Sequence, residues 1–330
     1  MVAKEMKDSL VLSASRTKDL LRCCPDALAK VVNGERSCRF GFGRQKYILS
    51  PETIHTLVLW TKSVANMCAH EGLRSSLQNL IRCGGQIAVH LSVTGFGSSF
   101  IEWGIPTWQQ AFAELEDVLA AKLTLPELVT LRYDPLLRLE YNSWTFSNCS
   151  MPLFEKIVQR GAELGVKRVV TSACDLSYQR AVKRMTRFEI LPVGPSEEEA
   201  TTLVGQMATC CRQQGVDFSV CCYPQVDFEE FGCIDGQLYN SVSKREMNCT
   251  EVLHNKVGSQ RPQCMCTHSR DIGYSKGFTH CFSQGAGCLY CYSQGATVGK
   301  MKARLKAELD KLRLDPSLLE KEPYLYLFER

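Results

Sequence analysis

The feature that most constrains this chain is a regular alternation of short aliphatic runs with amphipathic stretches long enough for helices. "SLVLSASR" (9–16), "HTLVLWTK" (55–62), "QIAVHLSVTGF" (86–96), "ELVTLRYDP" (127–135), "KRVVTSACD" (167–175) and "DFSVCCYP" (217–224) each read as a buried strand. "ERSCRFGFG" (35–43) reads as a further strand. Between them, Trp108, Phe112, Leu115, Leu119 and Leu123 recur at steps of three or four, the spacing of one helix face. "MPLFEKIVQRGAELGV" ends on a glycine suited to a helix C-terminus, and Ser196 followed by Glu199 forms a capping box. Strand–helix alternation on this scale predicts an α/β protein with a mainly parallel sheet, open or closed. No Gly-x-Gly-x-x-Gly follows the first strand, so the dinucleotide-binding sheet loses its main argument and a (β/α) barrel-like fold, TIM-type or partial, fits better.

The texture changes after residue 245. Residues 1–245 make the barrel-like domain, 246–297 a cysteine-rich loop module packed on the barrel mouth, and 298–330 a C-terminal helix and tail. The helix "GKMKARLKAELDKLRL" carries Leu305, Leu309 and Leu312 on one face, the pattern of a solvated amphipathic helix.

Composition limits the function classes. A net charge of +4 does not indicate nucleic acid, and no apolar run approaches the roughly 18–20 residues of a membrane span. The N-terminus shows no apolar h-region. The outlier is cysteine, with 18 residues. Vicinal pairs at Cys23-Cys24, Cys210-Cys211 and Cys221-Cys222 suit disulfides poorly. A reducing, cytoplasmic setting is expected, with the scattered cysteines acting mainly as small buried hydrophobes.

The predicted strands end on polar groups: Ser15 and Arg16, Lys62, Thr94, Arg132 and Asp134, and Asp175. Ligands of parallel α/β folds sit at the carboxyl ends of strands, so Arg16, Lys62, Arg132, Asp134 and Asp175 are candidate substrate-binding residues. Three cations against two carboxylates suit an anionic or zwitterionic small molecule.

Five cysteines crowd the module: Cys264, Cys266, Cys281, Cys288 and Cys291. Cys-x-x-Cys at 288–291 puts two thiolates on one tight turn, and Gly285 and Gly287 relieve the backbone around it. Three readings stay open at this point: an iron–sulfur cluster, a structural zinc site that uses four of the five or includes His268 or His280, and no metal at all.

"GCLYCY" resembles the end of the radical-SAM signature, Cys-x₃-Cys-x-aromatic-Cys. The chain as a whole, from near residue 10 to about 294, resembles the family called domain of unknown function 1848. "LSASRTKD" is similar to its opening motif, with Arg16 and Asp19 in place; "SPETIHTLVLWTKS", with Trp60 and Lys62, and "LRYDPLL", with Arg132 and Asp134, are similar to its second and third. Cys264, Cys266, Ser269, Asp271 and Gly273 match its "CxCxxSxDIG". The resemblance implies a barrel-like domain followed by a 4Fe–4S cluster held by Cys281, Cys288 and Cys291, with Cys264 or Cys266 as candidate fourth ligand. It further implies S-adenosylmethionine as ligand of an open iron, an external electron donor, and a redox enzyme. The family usually has three residues between its first two cluster cysteines; here there are six.

Overall fold

The computed structural model describes residues 4–5, 9–41, 43–222, 226, 228, 231–253, 264–293 and 299–329 of the 330. All six aliphatic runs form strands of one sheet: β1 (Leu10–Ala14), β2 (Ile54–Thr61), β3 (Gln86–Ser92), β4 (Val129–Leu136), β5 (Arg168–Ala173) and β6 (Asp217–Val220). A seventh, β7 (Arg270–Asp271), comes from the cysteine-rich region. The order is β6-β5-β4-β3-β2-β1-β7, and every pairing is parallel. From β1 to β6, sequence neighbours are sheet neighbours, without the reversal of a doubly wound sheet, and β7 adds beside β1. β6 and β7 end the sheet and do not pair with each other among the described residues, so the protein has a central parallel sheet flanked by helices rather than a closed TIM barrel.

The expected strand at 35–43 does not form. Only Cys38 makes a bridge, antiparallel to Tyr47. The backbone of this stretch bonds instead to the segment after β7: the Ser275 hydroxyl accepts from Arg39 N at 2.8 Å, and Gly41 N donates to Asp271 O at 3.0 Å. Gly41 is in the left-handed region at φ 52°, where an extended ladder cannot continue.

The helices follow their local chemistry. Thr107 and Gln110 form a capping box at the start of Trp108–Ala120, and Ser196 and Glu199 do the same for Glu197–Gln213. Met151–Glu163 has Pro at its first turn, where a missing N–H costs nothing. In the C-terminal helix, Gly299–Leu314, the leucines 305, 309 and 312 are buried, as their spacing predicts.

Alternation along the strands divides the sheet into two faces. Leu12, Leu57, Leu59, Ile87, Val89, Leu131 and Val169 pack into the large core beneath the helices. Val11, Val58, Ala88 and Val170 point the other way, into a separate cluster with Cys233, Ile234, Tyr239, Cys249, Cys264 and Cys266. Each fully buried leucine contributes about 1.5–3 kcal/mol relative to exposure. No helix among the described residues is long and apolar enough to cross a membrane.

β7 joins the C-terminal region to the sheet by its backbone pairing with β1 and by one side chain. Asp271 Oδ2 accepts from the Ser13 hydroxyl at 2.8 Å and from Arg16 N at 2.9 Å, while its Oδ1 accepts from Gly273 N at 2.8 Å. Asp271→Ala leaves these donors without a carboxylate and is expected to lower stability by about 1–3 kcal/mol in urea denaturation. An unchanged midpoint would contradict this role.

Candidate functional site

The carboxyl ends of the strands open into a cavity of about 370 Å³. Arg16, Lys62, Arg132, Asp134 and Asp175, the strand-end residues singled out from the sequence, all line it, and so do Cys264, Cys281, Cys288 and Cys291. Asp175 is exposed, and its Oδ1 accepts from Ser177 N at 2.9 Å, so it closes its own turn at the mouth.

Trp60 organises the floor. Its indole N–H donates to the Ser13 hydroxyl at 3.1 Å and its ring stacks on His90 at 4.2 Å. The guanidiniums of Arg132 and Arg16 lie 5.1 and 5.5 Å from the ring centroid, close enough for cation–π attraction. Burial pushes His90 down to about 3; Cys233 pulls it partly back up, and the guanidiniums of Arg132 and Arg16 add smaller downward pushes, so it is neutral near pH 7.

The three cations are not equivalent. Arg132 Nη2 pairs with Asp134 Oδ2 at 2.6 Å, and Asp134 also accepts from the Ser172 hydroxyl. Lys62 Nζ pairs with Glu102 Oε1 at 2.8 Å, an oxygen that also takes the Thr94 hydroxyl at 2.7 Å and the Tyr290 hydroxyl. Burial pulls the Lys62 pKa down, but Glu102 and Cys288 beside it outweigh burial and leave it raised. Arg16 differs: its buried Nη2 has no hydrogen-bond partner among the described residues. A buried guanidinium N–H without a partner costs free energy, so Arg16 is the cation with capacity left for an incoming anion.

The cysteine loop forms one wall. Cys281 opens a short 3₁₀ turn, Cys281–Gln284, which Gly285 ends at φ 75°. Gly287–Cys288 then pairs antiparallel with Glu102–Trp103. A Cβ on Gly287 would lie 2.1 Å from the Phe282 ring, so only glycine permits this approach. Cys291 N donates to Cys288 O at 3.0 Å and closes the Cys-x-x-Cys turn. The buried Arg184 guanidinium clamps the turn from behind, donating to Leu289 O at 3.0 Å and Cys291 O at 2.8 Å. Beyond it, the Tyr292 and Ser293 hydroxyls donate to the carbonyls of Arg16 and Thr17 at 2.8 and 2.6 Å. The loop is therefore bonded directly to the turn that carries the unpartnered arginine.

A fourth thiol stands beside this set, and it is Cys23. It hydrogen-bonds with Cys281, which holds the Cys281 thiol low and pushes Cys23 up. Cys264 lines the same cavity but, like Cys266, has other partners: Cys264 interacts with Cys222 and Cys266, and Cys266 with Cys233. The five cysteines grouped by their nearness in sequence thus fall into two sets. Among the described residues no three His, Cys, Asp or Glu side chains are drawn together as a ready-made site for one metal ion. The cysteines form no disulfide among the described residues.

Sequence reasoning missed Cys23, Glu102, Cys221, Cys222 and Cys233. Glu102 left a signal, a lone carboxylate in the apolar run "FIEWGI"; it is 1% exposed. The cysteines left none that distinguishes them from buried packing residues, because their partners come from distant segments.

This arrangement defines a class: an α/β protein whose parallel sheet ends in a cation-rimmed cavity walled by a thiol-bearing loop. The chain belongs to the family described as Domain of unknown function (DUF1848), whose pattern it matches over residues 11–293. No curated protein matches the chain.

The neutral His90 gives a pH signature. Its folded pKa of about 3 lies below the unfolded value of about 6.5, so between the two the unfolded chain binds a proton that the native state excludes. Stability is full above the unfolded value and falls as pH drops through it, by up to about 1.4 kcal/mol per pH unit for this group. His55, which burial followed by Arg245 pushes down to about 4, adds a similar slope. Denaturation between pH 7 and 5 is expected to show this loss, and His90→Gln to make it shallower. An identical slope in the variant would contradict the assignment.

Proposed function

We propose that this protein is an iron–sulfur redox enzyme of radical-SAM-like type that acts on an anionic or zwitterionic small molecule. The observation that carries the reading is the meeting of three thiols, Cys281, Cys288 and Cys291, with Arg16, Lys62 and Arg132 around one cavity. The donor set fits the cluster chemistry: soft thiolates on a glycine-relieved loop, with a cation beside them to offset their charge. A 4Fe–4S cluster, when bound, would supply one electron for cleavage of S-adenosylmethionine.

The chain's own residues do the rest. Cys281, Cys288 and Cys291 hold the cluster, and Cys23 is the nearest candidate for a fourth thiol. Arg16 offers its unpartnered N–H to a carboxylate of the substrate or of S-adenosylmethionine. Arg132 and Lys62, already paired with Asp134 and Glu102, fix the wall, and Asp134, which lines the cavity, stays within reach of a substrate amine. Tyr290, half-buried and bonded to Glu102, shields the thiol loop from water. The sequential winding of the sheet supports a partial (β/α) barrel, and a cytoplasmic setting with an electron-donor partner goes with the chemistry.

After anaerobic reconstitution with iron and sulfide, replacing Cys281, Cys288 and Cys291 by serine is expected to remove about four irons per chain and part of a broad absorption near ~400 nm. Arg16→Gln should leave the iron content unchanged and weaken retention of S-adenosylmethionine or substrate about 10-fold or more, the loss expected of one charge-assisted pair. Stoichiometric zinc at these thiols, with no visible absorption, would sink the proposal and leave a structural zinc clip in its place.

A further inference from the structure

Beside the cavity, five cysteines from three separate segments gather: Cys221, Cys222, Cys233 and Cys264 line it, and Cys266 joins them in the buried cluster on that face of the sheet. Electrostatic coupling runs from Cys221 to Cys222 and Cys233, from Cys222 to Cys264, from Cys264 to Cys266 and from Cys266 to Cys233, and so closes a ring. Cys221 and Cys222 directly follow β6, one end of the sheet, and Cys264 and Cys266 lie within six residues before β7, the other end. We infer that this ring is a second metal-binding site that holds an iron–sulfur cluster of its own, distinct from the one proposed at Cys281, Cys288 and Cys291.

Three observations support a built site over accidental packing. Arg132 Nη1 donates to Cys233 Sγ at 2.8 Å and Ile234 N donates to Cys266 Sγ at 3.4 Å, so two sulfurs already act as acceptors, as thiolates do. The backbone is shaped to bring the segments together: a Cβ on Gly232 would lie 2.4 Å from Met265 O, so Cys233 reaches Cys266 only because its neighbour is glycine. Thr267 N donates to Ile234 O at 2.8 Å and ties the same two segments again.

Charge and spacing select the occupant. Deprotonating four buried thiols requires cations, and Arg132 and Arg16 both face the ring electrostatically. A single tetrahedral ion needs its sulfurs about 4 Å apart in every pair, because each lies about 2.3 Å from the metal. No three of these residues are drawn in that way. A multi-iron cluster spreads its thiolates over separate irons, farther apart than a single ion allows, so donors gathered loosely from three segments suit it better. Cys233, Cys264 and Cys266 supply three ligands; the adjacent Cys221 and Cys222 supply the fourth between them.

Two triple variants, reconstituted anaerobically with iron and sulfide, test the inference apart from the first site. The wild type is expected to bind about eight irons, and the C281S/C288S/C291S chain about four with residual absorption near ~400 nm. The C233S/C264S/C266S chain is expected to bind about four as well. A C281S/C288S/C291S chain that holds no iron, or whose remaining metal is one zinc, overturns the second site. Should that variant match a four-iron wild type while C233S/C264S/C266S loses everything, the second site stands and the first fails. A wild type without iron overturns both. If C233S/C264S/C266S fails to fold by circular dichroism, the iron count of C281S/C288S/C291S still decides.

Discussion

The arrangement of the site depends on one carboxylate. Asp271 stands on a two-residue strand, β7, beside β1, and there it accepts from Ser13, Arg16 N and Gly273 N. Through these bonds a segment from the last fifth of the chain is fixed to the end of the first strand. Gly273 fits against the same turn so closely that a Cβ would lie 2.1 Å from Ser15 Oγ. The Arg16–Thr17 carbonyls then receive the hydroxyls of Tyr292 and Ser293. The thiol loop is thus held against the strand ends by hydrogen bonds at both of its flanks, rather than by apolar packing alone.

Around that junction the cavity's charges are largely spent before any ligand arrives. Lys62 is matched by Glu102 and Arg132 by Asp134, both at short range and in poor solvent. Such pairs add little net stability once desolvation is counted, but they fix side-chain direction. Arg16 is left with a buried unpartnered N–H. The proposed substrate, bringing both a carboxylate and an amine, would meet this unpartnered N–H beside the already paired Asp134. Arg132 also couples the two walls, since its second nitrogen reaches Cys233.

The sheet was legible in the sequence because parallel strands buried on both faces read as aliphatic runs, and six such runs are present. The strand-end residues were legible for the same reason: the carboxyl ends of such strands are where ligands bind, and Arg16, Lys62, Arg132 and Asp134 do line one cavity. Residues 35–43 misled because Cys38, Phe40 and their neighbours look like a strand, whereas only Cys38 bridges, to nearby Tyr47, and Arg39 and Gly41 bond to distant Ser275 and Asp271. The seventh strand was invisible, since two residues, Arg270 and Asp271, carry no periodicity. The division of the cysteines was invisible too. Spacing along the chain grouped Cys264 and Cys266 with Cys288, but tertiary contacts give them to Cys222 and Cys233.

The central claim is that thiolates of the C-terminal loop hold a cluster with one iron open toward Arg16. Electron paramagnetic resonance of the reduced, reconstituted C233S/C264S/C266S chain isolates that cluster. The account predicts a 4Fe–4S signal whose g values shift when S-adenosylmethionine is added, and a smaller shift in the same chain carrying Arg16→Gln. A cluster signal unchanged by S-adenosylmethionine would mean that a fourth protein ligand, with Cys23 the nearest candidate, closes the site, and would contradict the claim.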